Sequence, residues 1–541
     1  MISSFYKVGI RAGVTALTLM GASSAPAGEP VSALAQPANL PAPADAYRPA
    51  YHFTPHANWM NDPNGLVYNK GVYHLFFQHN PDDTVWGPMH WGHAVSRDLV
   101  HWHERPIALT PDALGAIFSG SAVVDHGNTS GLGQKGRPPL LAIFTYHQDS
   151  APKAGLAPQS QGLAYSLDGG ENWAKYAANP VLRPDADQKD FRDPKVFWHA
   201  PSHRWVMALA VGDHTEFFGS PNLKHWRRLG SFGAGLGPHG GVWECPDLLP
   251  LRVAGTSQTK WVLIQSFNPG GPNGGSATQY FVGDFNGKTF TLDPGFARAM
   301  QTSGPRWLDW GRDNYAGVTW SGMPKGDKRT VLIGWMNNWD YGDKTPTQTW
   351  RSAMTLPREL SLHREAGGGY ALHSLPAREL RKLQGSAINL RAGPLAGNRV
   401  VPLPEAVVSQ SRIDLAFAIE AGTPQFGVEF TNRLGDIYRF SYDSASKTFI
   451  SDRRVSGLVN FSPKFASVDK APRAGQGRVV RMSLYIDKSS VEAFLDGGAT
   501  AMTTAIFPRA PYSGLKLFAY GGRTRLISAQ AIPMAKAAIP K

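Results

Sequence analysis

Three short stretches of this chain share one design: a serine, a polar turn and a closing tryptophan. They read "SRDLVHW" (Ser96–Trp102), "SLDGGENW" (Ser166–Trp173) and "SPNLKHW" (Ser220–Trp226), and their tryptophans stand 71 and 53 residues apart. Each follows an apolar run of strand type. A turn signature that recurs behind such runs marks a repeated β unit. Further runs continue to about residue 370, among them "VYHLFFQ", "PLLAIFTYH", "RWVMALAVG", "KWVLIQSF" and "TVLIGWMNNW", punctuated by Gly, Asp and Asn. Long helical periods are scarce there. The reading is all-β, and recurrent four-strand units suit propeller blades. The echo alone also fits repeated hairpins in a sandwich.

The pattern changes near residue 375. "LPARELRKLQG" has a short helical look and ends at Gly385. Alternating segments follow: "RIDLAFAIEA", "QFGVEFTN", "VVRMSLYIDKSSVEAFLDGG" and "GLKLFAYGG". Alternation with turn signals predicts a β-sandwich over 386–535. "SLYIDKSSVEAFLDGG" reads as two strands joined at Asp-Lys-Ser-Ser, with Asp487 and Glu492 as turn and surface residues. The expected plan is a leader over 1–27, a Pro/Ala-rich lead-in over 28–48, a first domain over 49–370, a connector over 371–385 and the sandwich.

The leader has a basic start (Lys7, Arg11), an apolar run and small residues ending at Ala25-Pro26-Ala27, which reads as a cleavable signal for export. No other stretch is long and apolar enough for a spanning helix, so no membrane anchor is expected. A single cysteine, Cys245, excludes an intramolecular disulfide and cysteine-based metal sites. The net charge of +13 is spread without a basic run, which argues against nucleic acid as a partner. His90, His93, His101 and His103 cluster in "MHWGHAVSRDLVHWHE", but their spacing lacks a further fixed ligand. No metal and no cofactor are expected.

Three acids stand beside large apolar residues, where a free carboxylate is costly to bury. They are Asp62 in "WMNDPNG", Asp193 in "DFRDPKVFW" and Glu244 in "GGVWECPDL". Each has an ordinary reading as a turn or surface residue: Asn-Asp-Pro-Asn-Gly is good turn chemistry by itself. All three could instead line one pocket if blades converge on an axis.

Taken together, "WMNDPNG", "FFQHNP", "WGPMHWGHAVSRDLVHW", "FSGSAVV", "FRDPKVF", "WECPDL", "GRDNYAGVTW" and "GWMNNW…TWRSAMTLPREL" make the chain resemble glycoside hydrolase family 32, the invertase, inulinase and levanase group. The resemblance spans about residues 50–530. It implies a five-bladed β-propeller followed by a β-sandwich, and hydrolysis of terminal β-fructofuranosyl units of fructans or sucrose. It also implies Asp62 as nucleophile, Glu244 as acid/base and Asp193 as stabiliser of the transition state. Trp59, Asn61, Gln78, Trp86, Ser121, Arg192 and Trp335 match its fructose-binding set, and Cys245 reads as a thiol that packs the site. Two close carboxyl groups suit a retaining glycosidase, and their repulsion is expected to leave Glu244 protonated. A funnel floored by Trp59, Asn61 and Asp62 would admit a chain end, so exo action is expected. Within the resemblance, levanases and exo-inulinases stand nearest; a sucrose-preferring invertase, an endo-levanase or a levan fructotransferase, and a non-catalytic carbohydrate-binding propeller are the alternatives.

Overall fold

The computed structural model describes residues 45–537 apart from 135, 149–156, 186–187, 421, 423–424 and 476. The expected leader and most of the lead-in lie outside the described residues. No helix among the described residues is long and apolar enough to cross a membrane.

Five small sheets form the first part, antiparallel apart from one short parallel pair in the first, each counted outward from an inner strand. Those inner strands are Asn58–Asn69 in blade 1, Ala116–Val124 in blade 2, Phe191–His199 in blade 3, Val242–Arg252 in blade 4 and Tyr315–Thr319 in blade 5. Each inner strand packs on the next, and the fifth returns to the first, closing a ring. Trp350–Arg351, which follows the fifth blade's second strand, also pairs with Asn58 and Trp59 of the first. This is a five-bladed β-propeller. The second strands show why the sequence reads as continuous apolar runs. Val72–Asn80, Leu140–His147 and Arg204–Val211 are buried at all but one position each, because neighbouring blades cover both faces.

The echoed turns occupy one place in three blades, between the third and fourth strands. In each, an Asp or Asn side chain caps the turn and the tryptophan indole closes it. Asp98 accepts from the Val100 and His101 N–H groups, Asp168 from Glu171 and Asn172, and Asn222 from Lys224 and His225. The Trp102, Trp173 and Trp226 indoles donate to the carbonyls of Leu99, Gly170 and Leu223 at 3.0–3.1 Å. The turn and the ring that packs behind it are thus one unit, which is why they recur together.

The second part is a sheet of eleven strands that folds over on itself through a 20-residue strand, Gly514–Pro533. One core fills the fold: Ile413, Leu415, Phe426, Val428, Phe440, Met482, Leu484, Leu517 and Leu526 are all buried in it. The expected alternation is present, with Ile413 and Leu415 inward and Arg412 and Asp414 partly exposed. The helical look of 375–385 is realised as a 3-10 helix, Arg378–Leu383, whose Leu380 and Leu383 share one buried side.

Asp487 and Glu492 overturn their surface reading. They are 1% and 0% exposed, because the propeller covers this side of the hairpin. His52 bonds Asp487 at 2.8 Å through Nδ1 and Glu492 at 2.9 Å through Nε2. The backbone N–H groups of Ala50 and Tyr51 also donate to Asp487. Arg358 donates to Glu492 and, at 2.7 Å, to Asp309. Burial alone would drive the proton off His52, yet its two acids push it up to about 9. It is therefore an imidazolium with both N–H groups satisfied. Breaking a buried ion network by removing one partner costs about 3–5 kcal/mol. Glu492→Ala is expected to lose stability on that scale, read as a lowered urea midpoint, because Arg358 and His52 keep their charges. A base raised in the folded state contributes stability below its unfolded value of 6.5 and loses it towards 9. The midpoint should therefore fall from pH 6.5 to 9, and His52→Gln should flatten that fall.

Candidate active site

The inner strands converge on a cavity of about 340 Å³ at one end of the propeller. Blade 1 and its connecting loop supply Asn61, Asp62, Gln78 and Trp86; blade 2 supplies Phe118, Ser119, His147 and Gln159. Blade 3 and the residue before it give Asp190, Arg192 and Asp193, blade 4 gives Glu244, and the loop after Met336 gives Trp339. Seven of the ten residues expected from sequence are therefore here. Trp59, Ser121 and Trp335 do not line it.

Asp62 is wrapped in donors. Its Oδ1 accepts from Asn61 Nδ2 at 3.0 Å, its Oδ2 from the Ser119 hydroxyl at 2.7 Å, and the Cys245 thiol lies 3.5 Å from Oδ2. Asp193 Oδ2 accepts from the Cys245 N–H at 3.0 Å and has the same thiol at 3.6 Å. Cys245 thus spans two acids, one from blade 1 and one from blade 3. Its thiol, pushed well up by burial and by the acids around it, stays a neutral donor. Glu244 is held at both oxygens: Arg192 donates to Oε1 through Nε at 3.1 Å and Nη2 at 2.9 Å, and the Tyr315 hydroxyl donates to Oε2. Arg192 also grips Asp190 at 2.5 Å, and its Nε stands 4.0 Å from Asp193.

Burial raises Asp62 above the usual carboxylate range and the charge of Glu244 raises it further, while Ser119, Asn61 and Cys245 pull it back. Burial likewise lifts Asp193, to about 7, against the pull of Arg192 and with the push of Glu244 and Asp62. A cavity that resists its own negative charges is one in which a passing positive charge is stabilised.

The three residues outside the cavity have clear reasons. Ser121 bonds backbone instead: its hydroxyl donates to the Pro194 carbonyl at 2.8 Å and accepts from the Val196 N–H at 2.9 Å, stapling blade 2 to blade 3. The serine at the site is Ser119, two residues earlier in the same "FSGS" motif. Trp335 is fully buried, and its tilted neighbour Trp339, with ring centroids 4.8 Å apart, forms the wall. Trp59 is also fully buried, and its indole N–H donates to Asn61 Oδ1 at 2.7 Å, so it orients a lining residue from behind. Sequence reasoning missed Ser119, Tyr315 and Trp339, although all three stand in quoted motifs. The four clustered histidines go separate ways. His93 bonds His74 in the blade core, His101 bonds Asp98, His90 meets the Pro88 carbonyl, and His103 is exposed. Among the described residues, no group of three or more His, Cys, Asp or Glu could hold a metal ion.

Two family models match the chain: the glycosyl hydrolases family 32 N-terminal domain over residues 52–374 and the family 32 C-terminal model over 379–533. A levanase of Bacillus subtilis (strain 168) is 42% identical over 500 residues, covering 91% of this chain and 71% of its own. An extracellular exo-inulinase of Aspergillus awamori is 40% identical, covering 89% of this chain and 94% of its own. The crystal structure of exo-inulinase from Aspergillus awamori matches with a TM-score of 0.84 at 38% identity, over 91% of this chain and 99% of that one. A β-fructofuranosidase from Schwanniomyces occidentalis complexed with fructosyl-erythritol matches at 0.80 and 31% identity, over 91% and 98%.

Ser119→Ala removes a donor that favours the charged form of Asp62, so Asp62 should hold its proton to higher pH. The acidic limb of the kcat/KM profile is expected to move to higher pH; a limb that stays put or moves down would detach Asp62 from it.

Proposed function

Since this chain belongs to glycoside hydrolase family 32 and is a glycosidase, we propose that it removes terminal β-D-fructofuranosyl units from levan, inulin and sucrose by a retaining mechanism. The observation that carries this reading is the meeting of Asp62, Asp193 and Glu244, from three blades, in one cavity where the first two share a thiol. A retaining glycosidase uses one carboxylate as nucleophile and one carboxyl as proton donor. Asp62 attacks the anomeric carbon as Glu244 passes a proton to the leaving glycosyl oxygen, and the glycosidic bond breaks. The transition state carries positive charge at that carbon, which the field raising Asp62 and Asp193 favours. The fructosyl ester is then opened by water, whose proton goes to Glu244. Asp193 is not consumed; it holds sugar hydroxyls and adds negative field.

The relatives named levanase and exo-inulinase support fructan as the substrate class. A cavity of about 340 Å³ suits one sugar unit better than a threaded chain, which supports exo action. A site that bonds each hydroxyl of a terminal sugar rejects a substituted one, because its polar groups would be left unpaired. The reading includes export under the residue 1–27 leader, in keeping with extracellular relatives and a polymeric substrate.

Asp62→Ala should lower kcat by on the order of 10³-fold or more while the melting curve persists. More than a tenth of wild-type activity in a folded variant refutes Asp62 as nucleophile. Glu244→Ala should hurt substrates with poor leaving groups most; equal losses on sucrose and an activated aryl fructoside would remove Glu244 from the acid role. Fructose should be the sole early product from levan, with slow loss of polymer size. Early oligosaccharides would overturn exo action.

A further inference from the structure

Trp339 lies in a segment that the propeller's own ladders do not hold. The strand before it ends at Met336, and the next regular element is the 3-10 helix Gly342–Lys344. A segment without ladder bonds is placed by its other partners, and on the propeller side these are Asn338 Nδ2, which donates to the Ser276 and Arg312 carbonyls at 3.2 and 2.7 Å, and the Trp339 N–H, which donates to the Ser276 hydroxyl at 3.3 Å. The partners of the two residues after Trp339 reach into the sandwich. Asp340 accepts from Arg312 Nη2 at 2.7 Å and from Lys464 Nζ at 2.6 Å, and Arg312 Nη1 reaches the Lys464 carbonyl at 2.6 Å. The Tyr341 hydroxyl donates to Asp313 at 2.6 Å and accepts from Arg453 Nη2 at 2.7 Å, with Phe465 edge-on to its ring. Lys464, Arg453 and Phe465 all belong to the sandwich.

Trp339 connects this clamp to the acids. Its ring stacks near Trp59, 6.1 Å between centroids at 29°. Trp59 bonds Asn61 at 2.7 Å, and Asn61 bonds Asp62 at 3.0 Å. A displaced Trp339 would open a wall of the cavity, while Trp59, itself fully buried, keeps its bond to Asn61.

We propose that the sandwich is a positioning element of the active site, fixing the Trp339 wall through Asp340 so that binding of the terminal sugar depends on sandwich residues. This rests on the reading of the cavity as a fructosyl site. Asp340 and Lys464 touch no substrate; they act through Trp339. A positioning role shows in KM, because a misplaced wall weakens ground-state and transition-state binding alike and leaves kcat.

The test is steady-state kinetics on sucrose and inulin with Asp340→Asn, Lys464→Met and Trp339→Ala, alone and combined. Asp340→Asn should raise KM roughly fivefold, the scale of one ordinary net hydrogen bond because the amide keeps one acceptor oxygen, with kcat within about twofold. Lys464→Met should do less, since the Lys464 side chain is 62% exposed and screened; it also keeps the test open should Asp340→Asn fail to fold. In the Trp339→Ala background, Asp340→Asn should change KM no further, because the wall it positions is gone. An unchanged KM, or additive effects with Trp339→Ala, overturns the proposal. Hydrogen exchange of residues 337–344 gives a readout that needs no substrate: exchange should quicken in Asp340→Asn, and unchanged exchange overturns the clamp. A wild-type protein inactive on every fructoside would sink the fructosidase reading instead, with the exchange result still deciding the clamp.

Discussion

Each of the five inner strands slips register with its neighbour near its head. The slips fall between Met60 and Pro63, Ile117 and Gly120, Glu244 and Asp247, and Tyr315 and Val318, and in blade 3 opposite Ala208–Ala210. A regular strand sends adjacent side chains to opposite faces, so it could offer the axis only every second residue. A bulge breaks that rule. It lets Asn61 and Asp62, Phe118 and Ser119, and Arg192 and Asp193 line the cavity as adjacent pairs. The covalent chemistry behind the slips is plain. Pro63, Pro194 and Pro246 follow Asp62, Asp193 and Cys245, and a proline has no N–H to give a ladder. Asp193 and Cys245 take φ of 65° and 48°, which L residues rarely adopt without surrounding structure to hold them. In blade 2 the close approach needs Gly120, whose added Cβ would meet the Ile143 carbonyl oxygen at 2.1 Å.

From the bulges follows the electrostatics. Strands that turn their acids inward at the narrow end of a ring bring like charges together and away from water. The protein answers with donors drawn from the same strands: Ser119 and Cys245 for Asp62, the Cys245 N–H for Asp193, and Arg192 and Tyr315 for Glu244. Burial still wins at Asp62 and Asp193. On the proposed mechanism, positive charge developing at the anomeric carbon would relieve what the folded chain cannot relieve alone.

How much of this was legible follows from where each signal is written. The turn of "WMNDPNG" and the Asp-Pro of "FRDPKVF" are local chemistry, and the acids they carry line the cavity. The echoed Ser…Trp turns were equally local, and they mark the same corner of three blades. Which of two like residues faces the axis was not local. Ser119 and Ser121 differ only by the side of a bulge, and Trp335 and Trp339 only by the end of a strand. A two-residue period cannot reveal a slip in that period. The interface acids were hidden for another reason. Asp487 and Glu492 alternate along a hairpin as surface residues do, but their covering surface comes from His52 and Arg358, more than a hundred residues away in sequence.

The domain interface sets both ends of the pH range in which the fold is stable, and the site acts between them. At the domain interface, burial pushes Asp487 and Glu492 up, but His52 holds Asp487 down, and Arg358 with His52 holds Glu492 down, so both end below their ordinary values. Acids lowered in the folded state contribute stability above their unfolded values and lose it as pH falls. His52 contributes from the other side, losing its share between 6.5 and about 9. The site works against the fold in the middle. Asp193 is raised from 3.8 to about 7, so folding disfavours its charge progressively across that span, and Asp62 is displaced in the same direction. Stability from these groups is therefore greatest on the acid side of neutrality, above the point where the interface acids take up protons. On the proposed mechanism, catalysis by an ionised Asp62 would need the opposite, a pH high enough to charge a carboxyl that the cavity resists charging. The interface network lets both demands be met in one chain: it holds propeller to sandwich with charges that stay paired while the site carries acids that do not.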